Sequence, residues 1–303
     1  MIYISEDEVN QNYSMKSSIE AMKYAFKALY SGDASVSPRQ RTYMGNSVLN
    51  TMPAAIKSYG IAGLKAYIVT PKGARFVVII YDIESSDLIA VIEANRLGQI
   101  RTGAVTAFAT SLLHSDECNI FTLIGSGFQA ETQLEGMVNV KNPSEIRVYS
   151  VHFNNAKNFA QKMGSKFGID IKPFDSAKKA IEGADIITSI TDSNEPIIQK
   201  DMLGDRYHIN LAGANIPQRR EADLDVLKFS DLVVSEHRDQ SMMESFEISE
   251  FLKSGGRVAE LKDVTGNPKE YYGRKKTVFK SMGIGLEDVA SAHVILKNMG
   301  IIG

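Results

Sequence analysis

Residues 119–134 read NIFTLIGSGFQAETQL, and this stretch decides the fold. Ile120, Phe121, Leu123 and Ile124 make a nearly continuous apolar run, the pattern of a parallel strand buried on both faces. Gly125-Ser126-Gly127-Phe128-Gln129-Ala130 follows without a spacer, so a strand runs straight into a GxGxxA turn. Such a turn needs a sharp bend at Gly125, bare backbone at Gly127 where a diphosphate touches it, and a small Ala130 where helix meets strand. The helix that follows aims its unpaired N–H groups at the phosphates. The stretch predicts a dinucleotide site whose contacts come from Gly125, Ser126, Gly127, Phe128, Gln129 and Ala130.

Downstream, the hydrophobic period alternates. Strands are expected at Ile146 to Tyr149, Ile169 to Pro173, Ala184 to Ser189, His208 to Gly213 and Leu232 to Ser235, with helices at Asn155 to Phe167 and Ser176 to Glu182. Strand–helix alternation of this kind builds a doubly wound parallel sheet with the nucleotide at the carboxyl ends of its strands. Upstream the pattern differs. Met15 to Tyr30 carries apolar residues at helical spacing, and β-type runs follow at Ser47 to Ala55, Ile61 to Thr70, Phe76 to Asp82 and Leu88 to Glu93, a mixed or antiparallel sheet. A helix is expected over Ile100 to His114, opening at Arg101-Thr102-Gly103, and another lies in the tail through Leu286, Val289 and Ile295. If that tail folds back on the first sheet, the first domain is discontinuous.

At 303 residues the chain has room for two cores, and its 23% charged residues, 44% hydrophobics and net charge of -2 are those of an ordinary globular protein. No basic excess suggests nucleic acid. Cys118 is the only cysteine, which rules out an intrachain disulfide and points to a reducing compartment. The N-terminus lacks a secretory pattern and no apolar run approaches the roughly 20 residues of a membrane span, so a cytoplasmic location is expected. The five histidines are scattered without ligand spacing, and no metal site is expected.

The strand after the glycine turn ends in Tyr149-Ser150-Val151-His152, with no carboxylate for the ribose hydroxyls. Ser150 and His152 could instead donate to a 2′-phosphate, which favours NADP(H) and leaves NAD(H) open. Chemistry beside a nicotinamide requires a carboxylate clamp and a proton source, and Arg39, Arg41, Lys65 and Arg101 are the candidates. Taken singly, each is an ordinary surface charge. Lys65, however, sits inside an apolar strand, where burial lowers its pKa towards the range useful for proton transfer. Arg101-Thr102 at a helix start would be an anion site.

Pro38-Arg39, Met52-Pro53, Gly63-Leu64-Lys65, Arg101-Thr102-Gly103-Ala104, the glycine turn with Ile124 before it, Gly183-Ala184-Asp185-Ile186-Ile187 and Thr277-Val278-Phe279-Lys280-Ser281-Met282-Gly283 occur in that order. The set covers nearly the whole chain and resembles the ornithine cyclodeaminase/mu-crystallin family. The resemblance implies a homodimer in which a Rossmann-type doubly wound sheet, 113–285, is inserted into a smaller α+β substrate-binding and dimerisation domain, 1–112 plus 286–303. It implies that Arg39 and Arg101 hold a substrate carboxylate, that Lys65 lies beside the reacting carbon and nitrogen, and that Thr102 contacts the diphosphate. Ser281, in the last motif, joins the cofactor-binding set on the same ground. Members of the family cyclise ornithine with loss of ammonia, dehydrogenate alanine or reduce cyclic imines and ketimines, and mu-crystallin binds thyroid hormone.

Where cyclodeaminases resemble Gly-x-Asp followed by a Pro and a Glu, this chain reads Gly213-Ala214-Asn215-Ile216-Pro217. An amide orients a substrate but does not exchange a proton near neutral pH. The expected activity is therefore NAD(P)H-dependent reduction or dehydrogenation of a small α-imino or α-amino acid, a cyclic imine before pyruvate, with Lys65, Arg39, Arg101 and Asn215 at the chemistry. The alternatives are an ornithine cyclodeaminase in which Asp192 or Glu221 takes the proton role, and a non-enzymatic, crystallin-like binder.

Overall fold

A computed structural model describes residues 1–303 as two compact units, Met1–Val105 with Gly283–Gly303, and Thr106–Met282. The first unit is built on a sheet of β1 (Ile2–Ile4), β2 (Ala34–Val36), β3 (Gln40–Met44), β4 (Ser47–Ile56), β5 (Ile61–Thr70), β6 (Gly73–Asp82) and β7 (Leu88–Glu93). Their order is β1-β7-β6-β5-β4-β2, with β3 also paired to β4. β4 to β7 form the antiparallel meander expected from their alternation, and β1 joins β7 in parallel, so the sheet is mixed. Helices α1 (Glu6–Asn12), α2 (Met15–Ser31) and α3 (Asn95–Leu113) belong to the same stretch of chain. α2 is delimited by a Ser14 capping box and by Gly32 in the left-handed region, and it buries Met22, Ala25 and Phe26 completely.

α3 departs from expectation. It begins at Asn95, not at Arg101, and the Glu6 carboxylate caps it by accepting from Asn95 N and Arg96 N. Arg101 and Thr102 therefore lie well inside the helix and do not form a helix-terminal anion site. Gly98 lies inside it, although glycine inside a helix costs about 1 kcal/mol relative to alanine. Its place there has a packing reason: a Cβ on Gly98 would stand 2.9 Å from Lys65 Nζ.

The second unit follows as β8 (Ile120–Ile124), α4 (Ala130–Val140), β9 (Glu145–Tyr149), α5 (Phe153–Phe167), β10 (Ile171–Phe174), α6 (Ala177–Ile181), β11 (Ile186–Ser189), β12 (Tyr207–Leu211), α7 (Leu224–Lys228), β13 (Leu232–Ser235), α8 (Arg238–Glu244), α9 (Phe246–Lys253), β14 (Val258–Glu260), α10 (Leu261–Gly266), α11 (Pro268–Tyr271) and β15 (Lys276–Lys280). Its strands are all parallel, in the order β10-β9-β8-β11-β12-β15-β13-β14. The chain leaves β8 towards β9 on one side and later returns to β11 on the other, which places the topological switch point at the end of β8. Apolar side chains leave the sheet in two sets, one with Phe121, Leu123 and Ile186 and one with Ile124, Ile187 and Ile209. This is a doubly wound parallel fold.

The chain then returns to the first unit in α12 (Gly285–Asn298), which packs on α2 and across β4, β5 and β6. Held between a helix and a sheet, α12 buries Leu286, Val289, Ala290, Ile295 and Leu296 and has little polar face. Two acids are carried into the interior with it, Glu287 and Asp288, both 0% exposed. No helix of the chain is long and apolar enough to cross a membrane.

Candidate active site

In the first unit, the alternation of β5 puts Lys65 on the same face as Ile61 and Gly63, the buried one. The side chain is 4% exposed and lies over the rings of Tyr67 and Phe76, with Nζ 5.9 and 5.3 Å from their centroids. Nζ donates to Asp288 Oδ1 at 3.0 Å. Arg101, on α3, donates from Nε to the same Asp288 oxygen at 3.1 Å and from Nη1 to Glu287 Oε2 at 2.7 Å. Arg39, in the link between β2 and β3, is 7% exposed and donates from Nη2 to the Gly283 carbonyl at 3.1 Å. Its Nε faces Met52 Sδ at 3.4 Å. Three of the cations singled out from the sequence thus come together in one buried cluster, drawn from a loop, a strand and a helix.

Burial pushes Lys65 down from 10.5 to about 8, with the Asp288 carboxylate opposing the shift and Arg101 and Arg39 adding to it. A lysine in that range exchanges a proton readily near neutral pH. Glu287 and Asp288 were not singled out from the sequence. The available signal was an acidic pair inside Gly285-Leu286-Glu287-Asp288-Val289-Ala290, a run with no polar stripe for the acids to occupy. Thr102, also in this unit, is half-buried on α3 and donates its hydroxyl to the Gly98 carbonyl at 2.7 Å.

In the second unit, a cleft of about 620 Å³ opens at the switch point. Gly125, Ser126, Gly127, Phe128 and Gln129 line it from the turn, Tyr149, Ser150, Val151 and Asn155 from the end of β9, and Thr191, Asp192 and Gly213 from the strand ends beyond. Gly125 makes the bend with φ +110°, and a Cβ there would meet the Ile190 carbonyl oxygen at 2.6 Å. At Gly127 neither φ nor space demands glycine, since a Cβ would meet nothing within 4 Å. Ala130 is fully buried at the start of α4, and no side chain caps that helix.

The remaining candidates are spread around this unit. Ser150 lines the cleft, whereas His152 is exposed at the N-cap of α5 and is not among its walls. Ser281 is 3% exposed, and its hydroxyl donates to Glu236 Oε1 at 2.7 Å. Asn215 is half-buried in the loop after β12. The two residues before it are held by Glu221 Oε2, which accepts from Gly213 N at 2.9 Å and Ala214 N at 3.0 Å. The other oxygen of Glu221 accepts from Ser189 Oγ at 2.6 Å and Thr191 N at 3.1 Å. Fully buried and engaged on both oxygens, Glu221 shapes that loop.

Residues 2–300 match the family model described as the ornithine cyclodeaminase/mu-crystallin family. Ketimine reductase mu-crystallin of Rattus norvegicus is 32% identical over 219 residues, 72% of this chain and 67% of the relative. Among solved structures, Thermococcus litoralis Δ1-pyrroline-2-carboxylate reductase in complex with NADH and L-proline superposes with a TM-score of 0.91 at 29% identity, covering 98% of this chain and 97% of that one. An archaeal alanine dehydrogenase dimer with bound NAD reaches 0.90 at 26% identity, covering 98% and 95%. The chain belongs to the ornithine cyclodeaminase/mu-crystallin family.

Proposed function

We propose that the protein is a nicotinamide-dependent oxidoreductase that interconverts a small α-imino acid and the corresponding α-amino acid. One observation carries the reading: Arg39, Lys65 and Arg101 are buried in one cluster, with Lys65 and Arg101 sharing a single oxygen of Asp288. Cations gathered at one buried place suit an anionic ligand, and the carboxylate of an α-imino acid supplies one. The relatives named for ketimine, pyrroline-2-carboxylate and alanine chemistry support the same substrate class.

Arg39 and Arg101 hold the substrate carboxylate and so set where its α-carbon stands. Lys65 gives a proton to the substrate nitrogen in reduction and takes it back in the reverse direction. Burial excludes water and strengthens each of these charge interactions. A nicotinamide dinucleotide fits the cleft of the second unit: the bend at Gly125, the open side of Gly127 and the uncapped start of α4 suit a diphosphate. When bound it supplies the hydride. Ser150 follows the last residue of β9, where the sequence Tyr149-Ser150-Val151-His152 has no carboxylate, and this favours NADP(H) over NAD(H).

The first unit serves as the substrate-binding and dimerisation domain, the second as the dinucleotide domain. The sheet face turned away from α12 carries Leu49, Leu64, Ile68 and Tyr81, of which Leu49, Ile68 and Tyr81 are exposed. Such a face suits a second copy of the chain.

The test is to offer Δ1-pyrroline-2-carboxylate, pyruvate with ammonia, and L-ornithine, each with NADPH and with NADH. Steady NADPH oxidation with the cyclic imine is the expected result. Ammonia release from ornithine with no net change in absorbance would overturn the reading in favour of a cyclodeaminase.

A further inference from the structure

We propose that Asp288 is the positioning residue of this site: through the one oxygen that Lys65 and Arg101 share, it fixes where the Lys65 amine stands and keeps it charged for proton donation. The proposal rests on the oxidoreductase reading above and names the group that makes Lys65 usable.

The geometry is specific. Asp288 Oδ1 accepts from Lys65 Nζ at 3.0 Å and from Arg101 Nε at 3.1 Å, while Oδ2, also buried, has no hydrogen-bond partner. A carboxylate turned only to suit itself would satisfy both oxygens; this one leaves Oδ2 unsatisfied. The groups around Lys65 come from five places. Tyr67 on β5 and Phe76 on β6 offer ring faces, Gly98 and Arg101 come from α3, Arg39 from the β2–β3 link, and Asp288 from α12. Burial and both arginines work against a charge on Lys65, and Asp288 is the carboxylate that works for it. Glu287 is bound instead to Arg101 Nη1.

The proton balance is simple. In reduction the Lys65 ammonium releases one proton to the substrate nitrogen and becomes a neutral amine facing the Asp288 carboxylate. A proton from water then restores the ammonium. Without Asp288 the ammonium would lose its proton at lower pH, and the amine would lose its anchor.

The experiment follows Lys65 by NMR of protein labelled with ¹⁵N-lysine, its signal assigned with Lys65→Arg, in the full-length wild type and in Asp288→Asn. It needs no substrate, so a protein that reduced no imine would sink the functional reading while this titration still decided the proposal. The expected result is a Lys65 midpoint lowered by about one pH unit or more in Asp288→Asn. The alkaline limb of kcat/KM should move down with it, and Asp288→Glu should restore most of the shift. Glu287→Gln should raise KM and leave the limb where it was. Loss of activity in Asp288→Asn with midpoint and limb unmoved would show a merely structural role and overturn the proposal. Should Asp288→Asn fail to fold, Glu287→Gln decides: a Lys65 midpoint displaced in that variant by about a unit means the two acids are not distinct, which also overturns it.

Discussion

Lys65 Nζ stands 2.9 Å from the point that a Cβ on Gly98 would occupy. Glycine inside α3 is therefore a concession of helix stability to the lysine that passes over it. Gly98→Ala should gain up to about 1 kcal/mol of helix propensity, partly offset by displacing the end of a flexible side chain. The amine would be moved off Asp288, and turnover of the imine should fall at least tenfold. Thermal unfolding and steady-state kinetics on the same preparation check this. Lower stability with full activity would contradict it.

The pH dependence follows from burial of Lys65. Its folded value of about 8 lies below the usual 10.5, so between these two the unfolded chain binds more protons than the folded one. This group's contribution to stability should accordingly rise with pH across that window, with the full penalty present below about 8. Reduction needs the charged form, so kcat/KM should fall above about pH 8. The two trends run in opposite directions. Urea unfolding at several pH values, set beside a pH–rate profile, separates them.

Gly127 offers a test of the cleft. With no protein atom within 4 Å of a Cβ there, Gly127→Ala should change stability by less than about 0.5 kcal/mol. If a diphosphate lies against that backbone, the same change should weaken nucleotide binding at least tenfold. Fluorescence titration with NADPH and NADH measures the loss, and an undiminished affinity would remove Gly127 from the cofactor set.

Lys280 offers a test of the loop that carries Asn215. It is fully buried, 3.5 Å from Glu221 Oε2 and 3.8 Å from Glu247 Oε2. Replacing it with methionine leaves two buried carboxylates without their common cation. The expected loss is about 3–5 kcal/mol in urea unfolding. Glu221 also holds Gly213 and Ala214, so protease cleavage near Asn215 should become faster in the variant.

Much of this protein is legible in its sequence because the signals are local. The run Ile120 to Ile124, the glycine turn and the alternation after it specify a buried parallel strand, a sharp bend and a doubly wound sheet through nearest-neighbour geometry alone. The same local reading misplaced the start of α3, because the group that caps it is the carboxylate of Glu6, 89 residues away along the chain. It offered Arg39, Arg41, Lys65 and Arg101 as candidate cations, the family resemblance kept Arg39, Lys65 and Arg101, and neither could say what balances them. Asp288 lies 223 residues from Lys65 along the chain and 3.0 Å away in space. Burial and charge act through space, so the proton affinity of Lys65 and the pairing of its neighbours were decided only when α12 packed against β5.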